Sequence, residues 1–155
     1  MLHLYIDADA CPVKQEIYRV AERYGLPVTV VANSRMGIPD QAGVSLQVVA
    51  GDLDAADDWI AEHVEAHDIV ITADIPLASR CLAKGAHVLG TTGKPFTDDN
   101  IGDALATREL LADLRITGEI TGGPPPLTKK DRSTFLHQLD EMVQKVRRKV
   151  GGPPV

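Results

Sequence analysis

The chain has 155 residues, room for one domain, with an ordinary globular balance of 44% hydrophobic and 25% charged residues. No apolar run reaches membrane-spanning length, Met1–Asp7 reads straight into a strand with no basic leader, and two distant cysteines, Cys11 and Cys81, are too few for a disulfide scaffold. These features exclude a membrane span or disulfide-stapled scaffold and predict a cytoplasmic protein with no membrane partner. The formal net charge of -6 is uneven: residues 126–155 carry a local balance of +4 and the rest is near -10. An acidic body disfavours loose attachment to phosphate backbones, whereas a basic last helix is either a solvated face or a local contact.

In chain order, Leu2 to Ile6 alternates as a first strand, and Pro12 opens a helix that runs to Tyr24 and stops at Gly25. Val28 to Ala32 is a β-branched second strand, residues 33–43 a Gly- and Pro-bearing loop, and Val44 to Val49 a third strand. Asp54 to Ala66 has Ala55, Trp59, Ile60 and Val64 at helical spacing. Ile69-Val70-Ile71 is short, apolar and β-branched, as a buried parallel strand is. A helix over Ile75 to Lys84 ends at Gly85, and Ala86 to Leu89 is a fifth strand. Thr97-Asp98-Asp99 caps a helix reaching about Arg115, and residues 117–127, with Gly122-Gly123-Pro124-Pro125-Pro126, form a loop or flap. Thr128 to Asp131 resembles a capping box for a last helix with a stripe at Phe135, Leu139, Met142, Val143 and Val146. Residues 1–150 therefore form one domain, with 151–155 expected to be a disordered tail.

Strands alternating with helices imply a mostly parallel sheet with right-handed crossovers. In an open sheet of that kind, sites lie beyond the carboxyl ends of the strands where strand order reverses. Acids gather at such ends here: Asp7 and Asp9 after strand one, Asp52 to Asp58 after strand three, Asp74 after strand four, and Asp98-Asp99 after strand five. Two carboxylates about 4 Å apart repel by roughly 4 kcal/mol at an effective dielectric near 20. A converging set thus needs protons or a cation, and hard oxygen donors suit Mg2+ or Mn2+. Each acid also has a structural role open to it: Asp74 before Ile75-Pro76 suits a helix N-cap, and Asp98 and Asp99 suit a helix first turn. Asp57 lies one turn beyond Asp54.

Asp7-Ala8-Asp9-Ala10-Cys11-Pro12-Val13-Lys14, Asp54 to Ile60, Thr72 to Ala78, Phe96 to Ile101, and Gly122-Gly123-Pro124 followed by Asp131-Arg132 and Phe135 resemble the motifs of the YaiI/YqxD family of uncharacterised bacterial proteins. The resemblance spans about residues 2–145. That family is similar to PIN-like nucleases, which implies a three-layer α/β/α fold around a five-stranded, mostly parallel sheet of order 3-2-1-4-5. By the same pattern, Asp7, Asp57 and Asp74 would be the catalytic metal-holding core, assisted by Asp9 and by Asp98 or Asp99. Lys14, Asn33, Ser34 and Arg132 stand where substrate phosphate is expected.

The expected function is a divalent-metal-dependent hydrolase acting on RNA or another phosphodiester. A non-catalytic metal- or nucleotide-binding module is the alternative. A third reading is a haloacid-dehalogenase-like phosphatase, with Asp7 as nucleophile, Asp9 as acid/base, and Ser34 and Lys84 completing the set. Cys11, at a helix start but without a second cysteine three residues on, is expected to be structural. His63 and His67 lack the zincin spacing and read as an exposed helix end.

Overall fold

The first strand, β1 (Leu4–Asp7), is buried at all four positions, which is the environment its uninterrupted apolar run requires. It lies between β2 (Val28–Ala32) and β4 (Ile69–Ile71), parallel to both, with Leu4 in register with Val28 and Ile69. Helices cover both faces of these central strands, so neither face has to be polar. The computed structural model describes residues 2–9, 11–52, 54–116 and 127–149. The expected flap at 122–126 and the tail at 151–155 lie outside the described residues.

The remaining elements are α1 (Lys14–Tyr24), β3 (Val44–Val48), α2 (Ala55–His63), α3 (Ile75–Ala83), β5 (His87–Leu89), β6 (Pro95–Phe96), α4 (Ile101–Ile116) and α5 (Lys129–Lys149). Strand order is β3-β2-β1-β4-β5-β6. The expected order 3-2-1-4-5 is present and parallel throughout, and a sixth strand, β6, pairs antiparallel with β5. Two residues, one a proline without an N–H, leave no alternation by which β6 could be read in advance.

Side chains of a strand alternate between faces, and the sheet divides its core accordingly. Leu4, Ile6, Val28, Val30, Ile69 and Ile71 pack beneath α1 and α5, where Ile17, Val20, Phe135, Leu139, Val143 and Val146 close the layer. Tyr5, Val31, Val70 and Val88 face the other way onto α2 and α3, through Ala56, Ile60, Leu77 and Cys81.

Element ends are set by local chemistry. α1 stops at Gly25, whose φ of 63° is left-handed and suits glycine. It starts at Lys14, with Pro12 and Val13 in a turn before it. α2 ends at His63, three residues earlier than its spacing suggests, because Val64 turns extended to bury its side chain. The expected capping box is present: the Thr128 N–H donates to Asp131 Oδ2 at 2.9 Å and the Asp131 N–H to Thr128 Oγ1 at 3.1 Å.

Candidate functional site

Because β1 and β4 are parallel neighbours in register, the residues that follow them emerge side by side at one edge of the sheet. Asp7 ends β1 and is only 7% exposed. Thr72, fully buried just past β4, donates its hydroxyl to Asp7 Oδ2 at 2.8 Å and accepts the Asp74 N–H at 2.9 Å. Asp74 then accepts the Leu77 N–H on Oδ1 at 2.9 Å, so it is the N-cap of α3 and a member of the acidic group at once. α2 brings the third carboxyl: Asp57 lies within the fields of Asp7, Asp74 and Asp54.

The electrostatics show a shortage of positive charge. Burial raises the Asp7 carboxyl to about 6, opposed by the Thr72 hydroxyl and reinforced by the charges of Asp74 and Asp9. Asp57 rises to about 7, first through burial, then through the charges of Asp7 and Asp74. Such a set is neutralised either by protons or by a cation. Among the described residues, no three His, Cys, Asp or Glu side chains close into a preformed metal-ligand group. The donors are all carboxylate oxygens, and Asp57 feels the charges of both Asp7 and Asp74. That fits Mg2+ or Mn2+ in the usual partial manner, one or two carboxylates with waters and substrate phosphate filling the shell. It does not fit a metal held by protein ligands alone.

The rim is built by β1 and β2. Asn33 donates its amide to Asp9 Oδ2 at 2.9 Å, joining the two strand ends, and exposed Ser34 follows. Lys14 donates to the Cys11 carbonyl at 3.1 Å, and Arg132 to the Pro12 carbonyl at 2.6 Å. Arg132 also lies 3.5 Å from Glu16, so it fastens α5 to the turn before α1 as well as standing near the rim.

Asp98 and Asp99 do not join this group, which corrects the expectation that they share its edge. β6 runs antiparallel, with Phe96 opposite Val88 and Pro95 opposite Leu89, so the chain beyond it travels toward the opposite edge of the sheet. Asp98 lines a separate cavity of about 800 Å³ with Gly85, Ala86 and Lys149. The cap there is made by Thr97 and Asn100, whose side chains accept each other's backbone N–H at 3.2 and 2.9 Å.

Other expected chemistry is dispersed. Lys84 donates to the carbonyls of Ala61 and Glu62 at 2.9 and 3.0 Å, so its ammonium closes the end of α2 and stands apart from Asp7. Asp52 accepts the Asp54 N–H at 3.1 Å, and Asp58 pairs with Arg80 at 2.7 Å, tying α2 to α3. His63 stacks on Trp59 at 3.8 Å, and burial pushes the Cys11 thiol up, away from reactivity. Thr72, which bonds Asp7 and accepts the Asp74 N–H, is the residue of the acidic edge that pattern reading missed. Its only signal is a hydroxyl directly after a fully apolar strand and two residues before an acid.

Comparison with known proteins adds the family. Residues 5–145 match the family described as "Uncharacterized BCR, YaiI/YqxD family". A UPF0178 protein of Rhodopseudomonas palustris (strain HaA2) is 55% identical over 151 residues, covering 97% of this chain and 92% of the relative. One from Bradyrhizobium sp. (strain ORS 278) is 56% identical over 145 residues, covering 94% and 88%. One from Brucella ovis (strain ATCC 25840 / 63/290 / NCTC 10512) is 57% identical over 146 residues, covering 94% and 91%. No solved structure matches the chain. With the fold and its acidic edge described, and relatives this similar along nearly their whole length, the chain belongs to the YaiI/YqxD family.

Proposed function

We propose that this protein is a Mg2+- or Mn2+-dependent phosphodiester hydrolase of the PIN-like type, with single-stranded RNA as its substrate. The observation that carries the reading is the convergence of Asp7, Asp57 and Asp74, from β1, α2 and the start of α3, on one edge of the sheet, with Asp57 in the fields of the other two. When bound, a divalent cation supplies charge stabilisation at the phosphoryl oxygens and lowers the pKa of water.

The chain's own residues provide the framework. Asp57 and Asp74 present carboxylate oxygens, while the Asp74 N-cap bond holds that side chain against rotation. Thr72 orients Asp7 by its single short hydrogen bond, as an outer partner of a ligand does. Asp9 and Asn33, joined at the rim, would bind the hydroxyl groups of a ribose. Lys14 and Arg132 would exchange their carbonyl partners for a phosphate oxygen, a stronger, charge-assisted acceptor.

The test is incubation of the pure protein with labelled single-stranded RNA and Mn2+, beside Asp7→Asn and Asp57→Asn. Metal-dependent cleavage that both substitutions abolish supports the hydrolase. Calorimetric binding of Mn2+ without cleavage would replace it by the non-catalytic module. Phosphate release from small esters would restore the phosphatase, which the placement of Lys84 on α2 carbonyls disfavours.

A further inference from the structure

Two helices are too narrow to cover one face of this sheet. Strands lie about 4.8 Å apart and a helix is about 10 Å across, so α1 and α5 together span about four strands. They pack side by side on the face that carries Leu4, Val28 and Ile69. α2 and α3 pack on the other face and α4 on α3, so no third helix covers β5 and β6 beside α5. The cavity of about 800 Å³ lies in that gap. Gly85 and Ala86, just before β5, help to line it, so it opens toward the edge of the sheet opposite the acidic group.

The two flanks of α5 differ in how their polar groups are satisfied. On one, Asp140 bonds Arg23 and Tyr24, Gln144 bonds Tyr24, and Arg147 lies over the Tyr24 ring. On the other, Gln138, Met142, Lys145, Arg148 and Lys149 recur at helical spacing and line the cavity. Among the described residues, Lys145, Arg148 and Lys149 form no ion pair, and the side chains of Gln138 and Asp98 make no hydrogen bond. Outside residues 126–155 the chain carries a charge near -10, so three unpaired cations on one wall stand out from the rest of the molecule. Burial, then the charges of Lys149 and His67, push the His87 imidazole down, so this half-buried ring of the lining stays neutral. The strand side is apolar, with Val88, Leu89, Pro95 and half-buried Phe96.

We infer that this cavity is a binding site for a nucleoside monophosphate, separate from the acidic edge. Its volume lies within the range of small-molecule sites, about 300 to 1,000 Å³. Each part of such a ligand has a counterpart in the lining. The phosphate dianion meets Lys145, Arg148 and Lys149, whose charge-assisted bonds are the strong ones. The flat base lies against Pro95, Phe96 and Met142. Its polar edge finds an acceptor in the Asp98 carboxylate, and both a donor and an acceptor in the Gln138 amide. A bare phosphate would leave the apolar wall in water. A fatty acid would bring one negative charge to three cations and nothing for Asp98 to accept. A nucleic-acid backbone held by charge alone needs a basic surface, with no apolar recess.

Calorimetry of the full chain with adenosine monophosphate, in chelator so that no metal loads the acidic edge, tests this. Saturable binding with a Kd below about 1 mM is expected. Adenosine and inorganic phosphate should each bind at least about tenfold more weakly, because each keeps only part of the contacts. Lys145→Glu combined with Arg148→Glu, both exposed, should also weaken binding at least about tenfold. Asp7→Asn should bind the nucleotide as the wild type does. Amide shifts on the wild type need no variant: Phe96 and Met142 should move while Asp7 and Asn33 stay in place. Absence of saturation up to about 10 mM nucleotide overturns the inference. So does binding that inorganic phosphate matches, that survives the double substitution, that is lost in Asp7→Asn, or that shifts only the amides of the acidic edge.

Discussion

Replacing Asp7 with Asn should stabilise the protein at neutral pH, although it removes a residue of the site. Asp7 is 7% exposed, and its carboxyl is lifted from an ordinary 3.8 to about 6, chiefly by burial. The folded state therefore holds this proton more tightly than the unfolded chain does. Below the unfolded value both states are protonated and nothing is lost. As pH rises through 6 the folded protein must carry a buried charge, and stability falls. At about 1.4 kcal/mol per unit, the cost above pH 7 is on the order of 3 kcal/mol. Asn keeps an oxygen to accept the Thr72 hydroxyl and carries no charge. Thermal unfolding in chelator at pH 8 should then show Asp7→Asn melting roughly 6 to 12 °C above wild type, at 2–4 °C per kcal/mol for a chain of this size. The gap should close by pH 4. Added Mg2+ should raise the melting point of the wild type and leave that of the variant nearly unchanged. A variant less stable than wild type at pH 8, or a gap independent of pH, would refute the reasoning, because Asp7 would then be held ionised by its surroundings.

Three further outcomes follow from the same geometry. Thr72→Val removes the hydroxyl that bridges Asp7 and the Asp74 N–H, and denaturant unfolding should show a loss of about 1–3 kcal/mol, the cost of unsatisfied buried partners. Apparent Mg2+ affinity by calorimetry should rise from pH 6 to pH 8, with protons released on binding, because Asp7 and Asp57 must give up protons held to about 6 and about 7. Equal affinity at both values would show that these carboxyls are not the ligands. Lys84→Met should cost about 1 kcal/mol through its two lost carbonyl contacts and leave RNA cleavage unchanged. Loss of cleavage in a folded Lys84→Met protein would bring the phosphatase reading back.

The parts of this molecule that were legible early are those governed by neighbours along the chain. Ile69-Val70-Ile71 reads as a buried strand because three consecutive β-branched residues tolerate only a site covered on both faces. Gly25 ends α1 and Thr128 opens α5 through bonds that span three or four residues. Asp74 before Ile75-Pro76 reads as a cap and is one. That the first five strands run parallel likewise follows from alternation of strand and helix, while their order 3-2-1-4-5 was implied by the family resemblance.

Local pattern could not say which acids would meet. Asp98 and Asp99 follow a strand as Asp7 and Asp74 do, yet the reversed direction of β6 carries them to the far edge of the sheet. Asp54, Asp57 and Asp58 sit within five residues, and the packing of α2 on α3 alone directs Asp57 to Asp74 and Asp58 to Arg80. By itself the sequence determined which segments form the first five strands and the helices, to within a few residues at their ends, because those choices rest on hydrogen bonds and burial close along the chain. Which carboxyls converge, and that Thr72 bonds Asp7, was decided only by tertiary structure, because that bond joins residues 65 apart whose distance depends on sheet register.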